Sequence, residues 1–251
     1  MRKYLLPLLG LLLWAIPAGA QITVLQSALG TANQADPSAT VTIAGVTAHS
    51  LLVACWTLEN ANGKTFTYTD AQGSYSVADN STEGAASRQT YLVYLPNANA
   101  GSHTLTVAWT GTLGAINDLN IIEVSGIATS TPLDAHGHFN TGTTTTGDQP
   151  IGTLSTQAQT AELFVGCGRS SSSSTTWTVG SDFTTLIKNH VGDGMEYRVV
   201  SSDLHPFTGH MATANSGFAY SGSIASFLGT STPPASKIVG PSKIAGPTKT
   251  D

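Results

Sequence analysis

The amino-acid sequence predicts an all-β protein: a two-layer antiparallel sandwich of jelly-roll type, built from two related repeats. Three observations lead there. Apolar residues alternate with hydroxyl residues in Thr40-Val41-Thr42-Ile43, in Thr65-Phe66-Thr67-Tyr68-Thr69 and in Thr104-Leu105-Thr106-Val107-Ala108-Trp109, the pattern of strands buried on one face only. Other apolar runs are short, rich in Leu, Val and aromatics, and closed by polar residues, which reads as strands covered on both faces rather than as helices. The strongest of these runs occurs twice. Ser50-Leu51-Leu52-Val53-Ala54-Cys55-Trp56 returns 112 positions later as Glu162-Leu163-Phe164-Val165-Gly166-Cys167-Gly168, cysteine on cysteine. Tyr91-Leu92-Val93-Tyr94 and Ile121-Ile122-Glu123-Val124 are echoed in the same order by Tyr197-Arg198-Val199-Val200 and Ile224-Ala225-Ser226-Phe227.

Taken in order, the chain opens with a basic Met1-Arg2-Lys3, an apolar run to Pro17 and Ala18-Gly19-Ala20. That is the form of a signal peptide (residues 1–20) cleaved before Gln21, the run being too short for a stable bilayer span. A retained N-terminal anchor is the alternative. Residues 22–29 read as an edge strand and 40–46 as a half-buried one. The doubly buried run 51–58 ends at the turn Asn60-Ala61-Asn62-Gly63. Strands follow at 65–69, 75–77, 88–95, 104–109 and 119–124, with 78–87 a polar surface loop. The stretch 127–147, rich in Thr, Gly and Ser, reads as a long non-periodic connection: a crossover between sheets, a binding loop or a linker. The second unit places strands within 151–154, 162–168, 177–186, 195–201, 209–214 and 220–228, and the serines 170–174 form a loop. The repeat units thus span about 38–126 and 148–229 within a domain of residues 21–229. From 230 to 251, Ser236-Lys237-Ile238-Val239-Gly240-Pro241 repeats as Ser242-Lys243-Ile244-Ala245-Gly246-Pro247. Gly-Pro at this interval excludes helix and central strand and predicts an extended tail.

The Leu51-Leu52-Val53 strand, the Asp70-to-Gly73 turn, Ile122-Glu123-Val124-Ser125-Gly126, Glu196-Tyr197-Arg198-Val199-Val200 and Ser223-Ile224-Ala225-Ser226-Phe227 form a recognisable succession. It resembles a recurrent secreted bacterial β-sandwich family, jelly-roll-like and without an established function, over roughly residues 22–229. The resemblance implies the fold and no chemistry.

Charge narrows the partners. Loss of the leader removes Arg2 and Lys3 and leaves eight basic against 15 acidic residues, which disfavours nucleic acid or an anionic membrane as partner, since both need a basic face. Charged residues make up only 10% of the chain, against about 25% in an average domain. The expected location is secreted, cell-surface or periplasmic.

Catalytic patterns are sparse. There is no Gly-x-Ser-x-Gly elbow to expose a serine nucleophile, and the glutamates Glu59, Glu83, Glu123, Glu162 and Glu196 stand alone rather than in pairs fit for glycoside hydrolysis. Glu123, inside an apolar strand, reads as a carboxylate satisfied by hydrogen bonds. A solvated loop is the simpler reading of His136-Gly137-His138 with Asp134, and a transition-metal site the alternative. No cofactor is expected; Asp70, Asp79 and Glu83 offer oxygens for a structural calcium ion, with a simple turn role for Asp70 as the competing reading. Trp177, after the serine loop, is the tryptophan expected to be exposed, and with Tyr75 and Phe139 it is a candidate ligand platform.

The functional expectation is a non-catalytic extracellular binding or adhesion module, with carbohydrate as the ligand class and an extracellular glycan or surface protein as partner. A structural surface or assembly protein is the alternative and a secreted hydrolase the third choice. Cys55 and Cys167 are expected to form a disulfide, with two buried thiols as the competing state. The bridge implies that the repeats are halves of one sandwich. Two tandem sandwiches would hold the central strands in separate cores, beyond bonding reach.

Overall fold

A computed structural model describes residues 21–32, 36–59, 63–83, 88–112, 117–155, 161–171, 175–188, 192–201, 204 and 206–230. Residues 1–20 and 231–251, the expected signal peptide and most of the expected tail, lie outside the described residues. All the regular structure described is β: β1 (Thr23–Ala32), β2 (Ser38–Val46), β3 (Ser50–Leu58), β4 (Phe66–Thr69), β5 (Ser76–Glu83), β6 (Arg88–Ala98), β7 (Gly101–Trp109), β8 (Asn117–Ser125), β9 (Leu133–Thr143), β10 (Gly147–Leu154), β11 (Glu162–Ser170), β12 (Trp177–Thr178), β13 (Thr185–Ile187), β14 (Asp193–Val200), β15 (Phe207–Thr213) and β16 (Ala219–Leu228).

These strands form four antiparallel sheets. The first half contributes a five-stranded sheet in the order β1-β8-β3-β6-β5 and a three-stranded sheet β2-β7-β4. The second half contributes β9-β16-β11-β14-β13 and β10-β15-β12. Adding eight to each strand number of the first half reproduces the order of the second.

Alternation along β3 explains the layering. Leu52, Ala54, Trp56 and Leu58 face the first three-stranded sheet, where they meet Val41, Ile43, Leu105, Val107 and Trp109. Leu51, Val53 and Cys55 face the other way and meet Leu163, Val165, Cys167, Met195 and Phe227 of the second five-stranded sheet. Phe164, on the far side of β11, packs with Ile151, Trp177, Phe207 and Met211 against the second three-stranded sheet. Three apolar clusters therefore separate four sheets, and β3 and β11 are buried at every position. The expectation of two layers is corrected to four, because each central strand serves two interfaces at once.

The disulfide forms at the middle interface. Cys55 and Cys167 are bonded with their Cα atoms 5.7 Å apart, within the range a disulfide requires. Separate cores do not keep the cysteines apart, as the sequence argument held. The two five-stranded sheets pack face to face, and alternation turns one cysteine from each toward the shared interface.

Two segments read as loops are strands. β5 takes in residues 78–83 of the supposed surface loop, the rest of which lies outside the described residues, and β9 occupies Leu133–Thr143 of the supposed connection 127–147. Neither shows an apolar period; β5 buries Asp79, Ser81 and Glu83 beside a single small apolar residue, Ala78. β9 sets His136 and His138 against Asp79 of β5, while Ala135 and Phe139 join the opposite core. The two edge strands carry a polar seam where the central strands carry an apolar core.

Candidate functional site

The aromatic candidates are packed. Trp177 is wholly buried, donates from Nε1 to the Gly192 carbonyl at 3.0 Å and meets Tyr220 edge-on at 6.0 Å. Its expected exposure is corrected: the short β12 pairs with β15, and this turns the indole inward. Phe139 stacks on Tyr220 at 5.5 Å. Tyr75 packs against the first core, and burial, reinforced by the charge of Asp70, pushes its phenol pKa upward. Trp177 is thus out of reach of a sugar ring, whereas Tyr75 and Phe139 are half-buried.

The calcium candidates are not assembled either. Asp70 accepts from the Gln72 amide at 2.9 Å and pairs with Nδ1 of His103 at 2.8 Å. Glu83 pairs with Arg88 at 2.8 Å. Asp79 lies between His138 at 3.0 Å and His136 at 3.3 Å. The three carboxylates thus serve three separate pairings. Among the described residues no three His, Cys, Asp or Glu side chains are grouped so as to hold a metal ion.

The polar seam ties the halves together. Ser81, Thr90 and Ser223 form a chain of hydroxyls with 2.6 Å links across the two five-stranded sheets, and the Thr82 amide donates to Oδ1 of Asn140 at 3.1 Å. At the ends of the central strands Glu59 sits between Arg88 at 3.1 Å and Arg169 at 3.6 Å, and Arg169 also grips the buried Asp193. Buried ion pairs of this kind are costly to break on one side only. This seam is a lock between the halves, and its groups are already engaged with one another.

Glu123, Glu162 and Glu196 are also buried, and the pKa values of Glu123 and Glu196 are displaced in opposite directions. Glu123 accepts from the Thr47 amide at 2.7 Å, Ser50 Oγ at 2.9 Å and Gln26 Nε2 at 2.6 Å. Burial opposes its ionisation, but these bonds outweigh that and hold its pKa below the ordinary 4.5. Glu196 is the reverse. Burial among apolar neighbours, with Asp182 and Asp148 nearby, pushes its pKa up to about 9 against a single opposing bond from the Gly180 amide. Neither carboxyl is exposed, so neither presents chemistry to solvent.

What the molecule does present is the outward face of the sheet β2-β7-β4. Thr40 and Thr42 of β2, Thr104 and Thr106 of β7, and Thr67 and Thr69 of β4 lie on the outward side, all exposed except the half-buried Thr106. Register aligns them: Thr40 stands opposite Thr106, and Thr106 opposite Thr69, making one row across three strands. Thr42 opposite Thr104 makes a second row, closed by a 2.9 Å hydroxyl contact. No Asp, Glu, Lys or Arg occurs on these strands, and His103 points inward. Sequence reading saw each alternation separately; only strand register shows that the threonines form one array.

Comparison with models of protein families, with curated proteins and with solved structures finds no match for this chain.

Proposed function

We propose that the chain is a non-catalytic extracellular binding or adhesion module acting through the uncharged hydroxyl face of β2-β7-β4. The observation that carries this is the in-register threonine array, held on a rigid apolar backing of Val41, Ile43, Leu105 and Val107. A face without charge suits a neutral, hydrogen-bonding surface. The carbohydrate expectation survives in that form, as recognition by hydroxyls without aromatic stacking. We read the architecture as a duplicated sandwich unit, three strands on five, with the two copies back to back. The disulfide is consistent with an oxidising compartment, which supports export through the N-terminal leader.

Binding of the secreted full chain to insoluble neutral polysaccharides tests the proposal. Thr104→Lys/Thr106→Lys is expected to reduce retention at least tenfold with the melting temperature nearly unchanged. Equal retention by the variant would refute it. A second reading, an assembly protein, is favoured by Leu25 and Leu29, 44% and 48% exposed on the edge strand β1. Concentration-dependent association abolished by Leu25→Lys/Leu29→Lys would establish that reading instead.

A further inference from the structure

Resting on the reading that the β2-β7-β4 face is the binding surface, we infer that its ligand is crystalline water: the face is an ice-binding site. Three Thr-x-Thr segments, Thr40-Val41-Thr42, Thr104-Leu105-Thr106 and Thr67-Tyr68-Thr69, lie on three adjacent strands with every threonine on the outward side. Strand geometry sets their spacing at roughly 4.8 Å between strands and about 6.7 Å between alternate residues along a strand. Those repeats are close to the oxygen–oxygen repeats on low-index faces of hexagonal ice. A row of hydroxyls at this spacing anchors waters in the troughs between strands, and the threonine methyls confine them to lattice-like positions.

Four further features fit a water lattice better than a sugar. The face carries no ionised side chain, and an ion orients water radially around itself, which breaks a lattice. Threonine is stiff at χ1, and the 2.9 Å contact between Thr42 and Thr104 holds one pair of hydroxyls in place, so little order has to be imposed on binding. The backing strands are fixed by a core that includes Trp56 and Trp109, 5.5 Å apart. A glycan site normally supplies aromatic rings or planar amides among its polar groups, and the outward positions of these strands supply neither.

The second three-stranded sheet is an internal control. Its outward positions include Asp148, Pro150 and His210, and a register shift between Pro150 and Gly152 interrupts the rows. Its hydroxyl pair Thr153 and Thr208, 2.9 Å apart, is isolated.

Thermal hysteresis and partitioning into a slowly grown ice front test the inference on the secreted full chain. The wild type is expected to shape ice crystals and to enrich in the ice at least tenfold over a non-binding protein of similar size. Thr104→Lys/Thr106→Lys should abolish both effects, and Thr104→Val/Thr106→Val should weaken them. Thr153→Lys/Thr208→Lys, on the other face, should leave them intact, with circular dichroism showing all variants folded. Exclusion of folded wild type from ice overturns the inference, as does equal enrichment of the Thr104→Lys/Thr106→Lys variant. If ice is not bound but a polysaccharide is, and Thr104→Lys/Thr106→Lys prevents that, the inference falls and the binding face stands. If neither is bound, both fall.

Discussion

The two halves share one strand order and differ in how they treat their buried polar groups. In the first half a His–Asp pair, His103 with Asp70, is sealed from solvent; in the second half the pair of His210 with Asp182 lies on the outer side and is about 30% exposed. Each half also buries a glutamate that the other lacks. Glu123 is held ionised by three donors that tie the β2–β3 turn and β1 to β8, whereas Glu196 is held neutral inside an apolar core. The outer sheet of the first half, β2-β7-β4, carries no Asp, Glu, Lys or Arg. The second half shows Asp148 and His210 on its outer sheet. Identical topology is therefore compatible with opposite surface chemistry, because outward positions of a strand bear on packing very little.

Removing the bond between the halves should have the largest effect. Cys55→Ala/Cys167→Ala opens a loop of 112 residues, for which the chain-entropy model gives about 4.7 kcal/mol and measured values run nearer 2–4 kcal/mol. At about 3 kcal/mol the melting temperature falls by roughly 6–12 °C. Calorimetry should then show the halves unfolding separately; a single transition at the wild-type temperature would show that the seam alone locks them.

Glu123→Gln comes next. It replaces a charged acceptor by an amide that must turn one N–H toward a donor, and hydrogen bonds to charged groups contribute about 1.5–3 kcal/mol each. A loss of about 2–3 kcal/mol is expected, with amide exchange accelerated in β1, β8 and the turn before β3 and little changed in the second half. The folded pKa of Glu123 is depressed, so its contribution is fully present above about pH 4.5 and is lost as pH falls through the folded pKa. The variant should therefore lose part of the acid limb of the stability profile. An unchanged acid limb would remove the role assigned to this carboxylate.

The smallest effect, and the opposite sign, belongs to Glu196. Its folded pKa is raised, so folding takes up a proton that the unfolded chain has released, and stability declines as pH rises from about 4.5 toward about 9. Glu196→Gln keeps the shape and the acceptor for the Gly180 amide while removing the titration. The variant is expected to be more stable than wild type by about 1 kcal/mol or more at pH 8, since one pKa unit corresponds to about 1.4 kcal/mol. Denaturant titrations at pH 5 and pH 8 check it; a stability gap that does not widen with pH would refute the neutral state of Glu196.

The sequence by itself determined the strands whose burial is apolar. Thr40-Val41-Thr42-Ile43 and Leu105 to Trp109 were legible because period-two alternation follows directly from one face packing on a core, and the repeated runs around Cys55 and Cys167 because burial on both faces leaves no polar position to disguise them. β5 and β9 were not legible. The polar residues β5 buries, Asp79, Ser81 and Glu83, find their partners on other strands, in His136 and His138, in Thr90 and in Arg88, which pattern along the chain does not encode. The same applies to the candidate site: each Thr-x-Thr was visible, but their assembly into one array depends on register between strands up to 66 residues apart, Thr40 against Thr106. Trp177 failed for the complementary reason, since position after a polar loop says nothing about which side a two-residue strand turns inward. Local alternation is set by the chain and its solvent, whereas what faces what is set by the packing of one sheet on another.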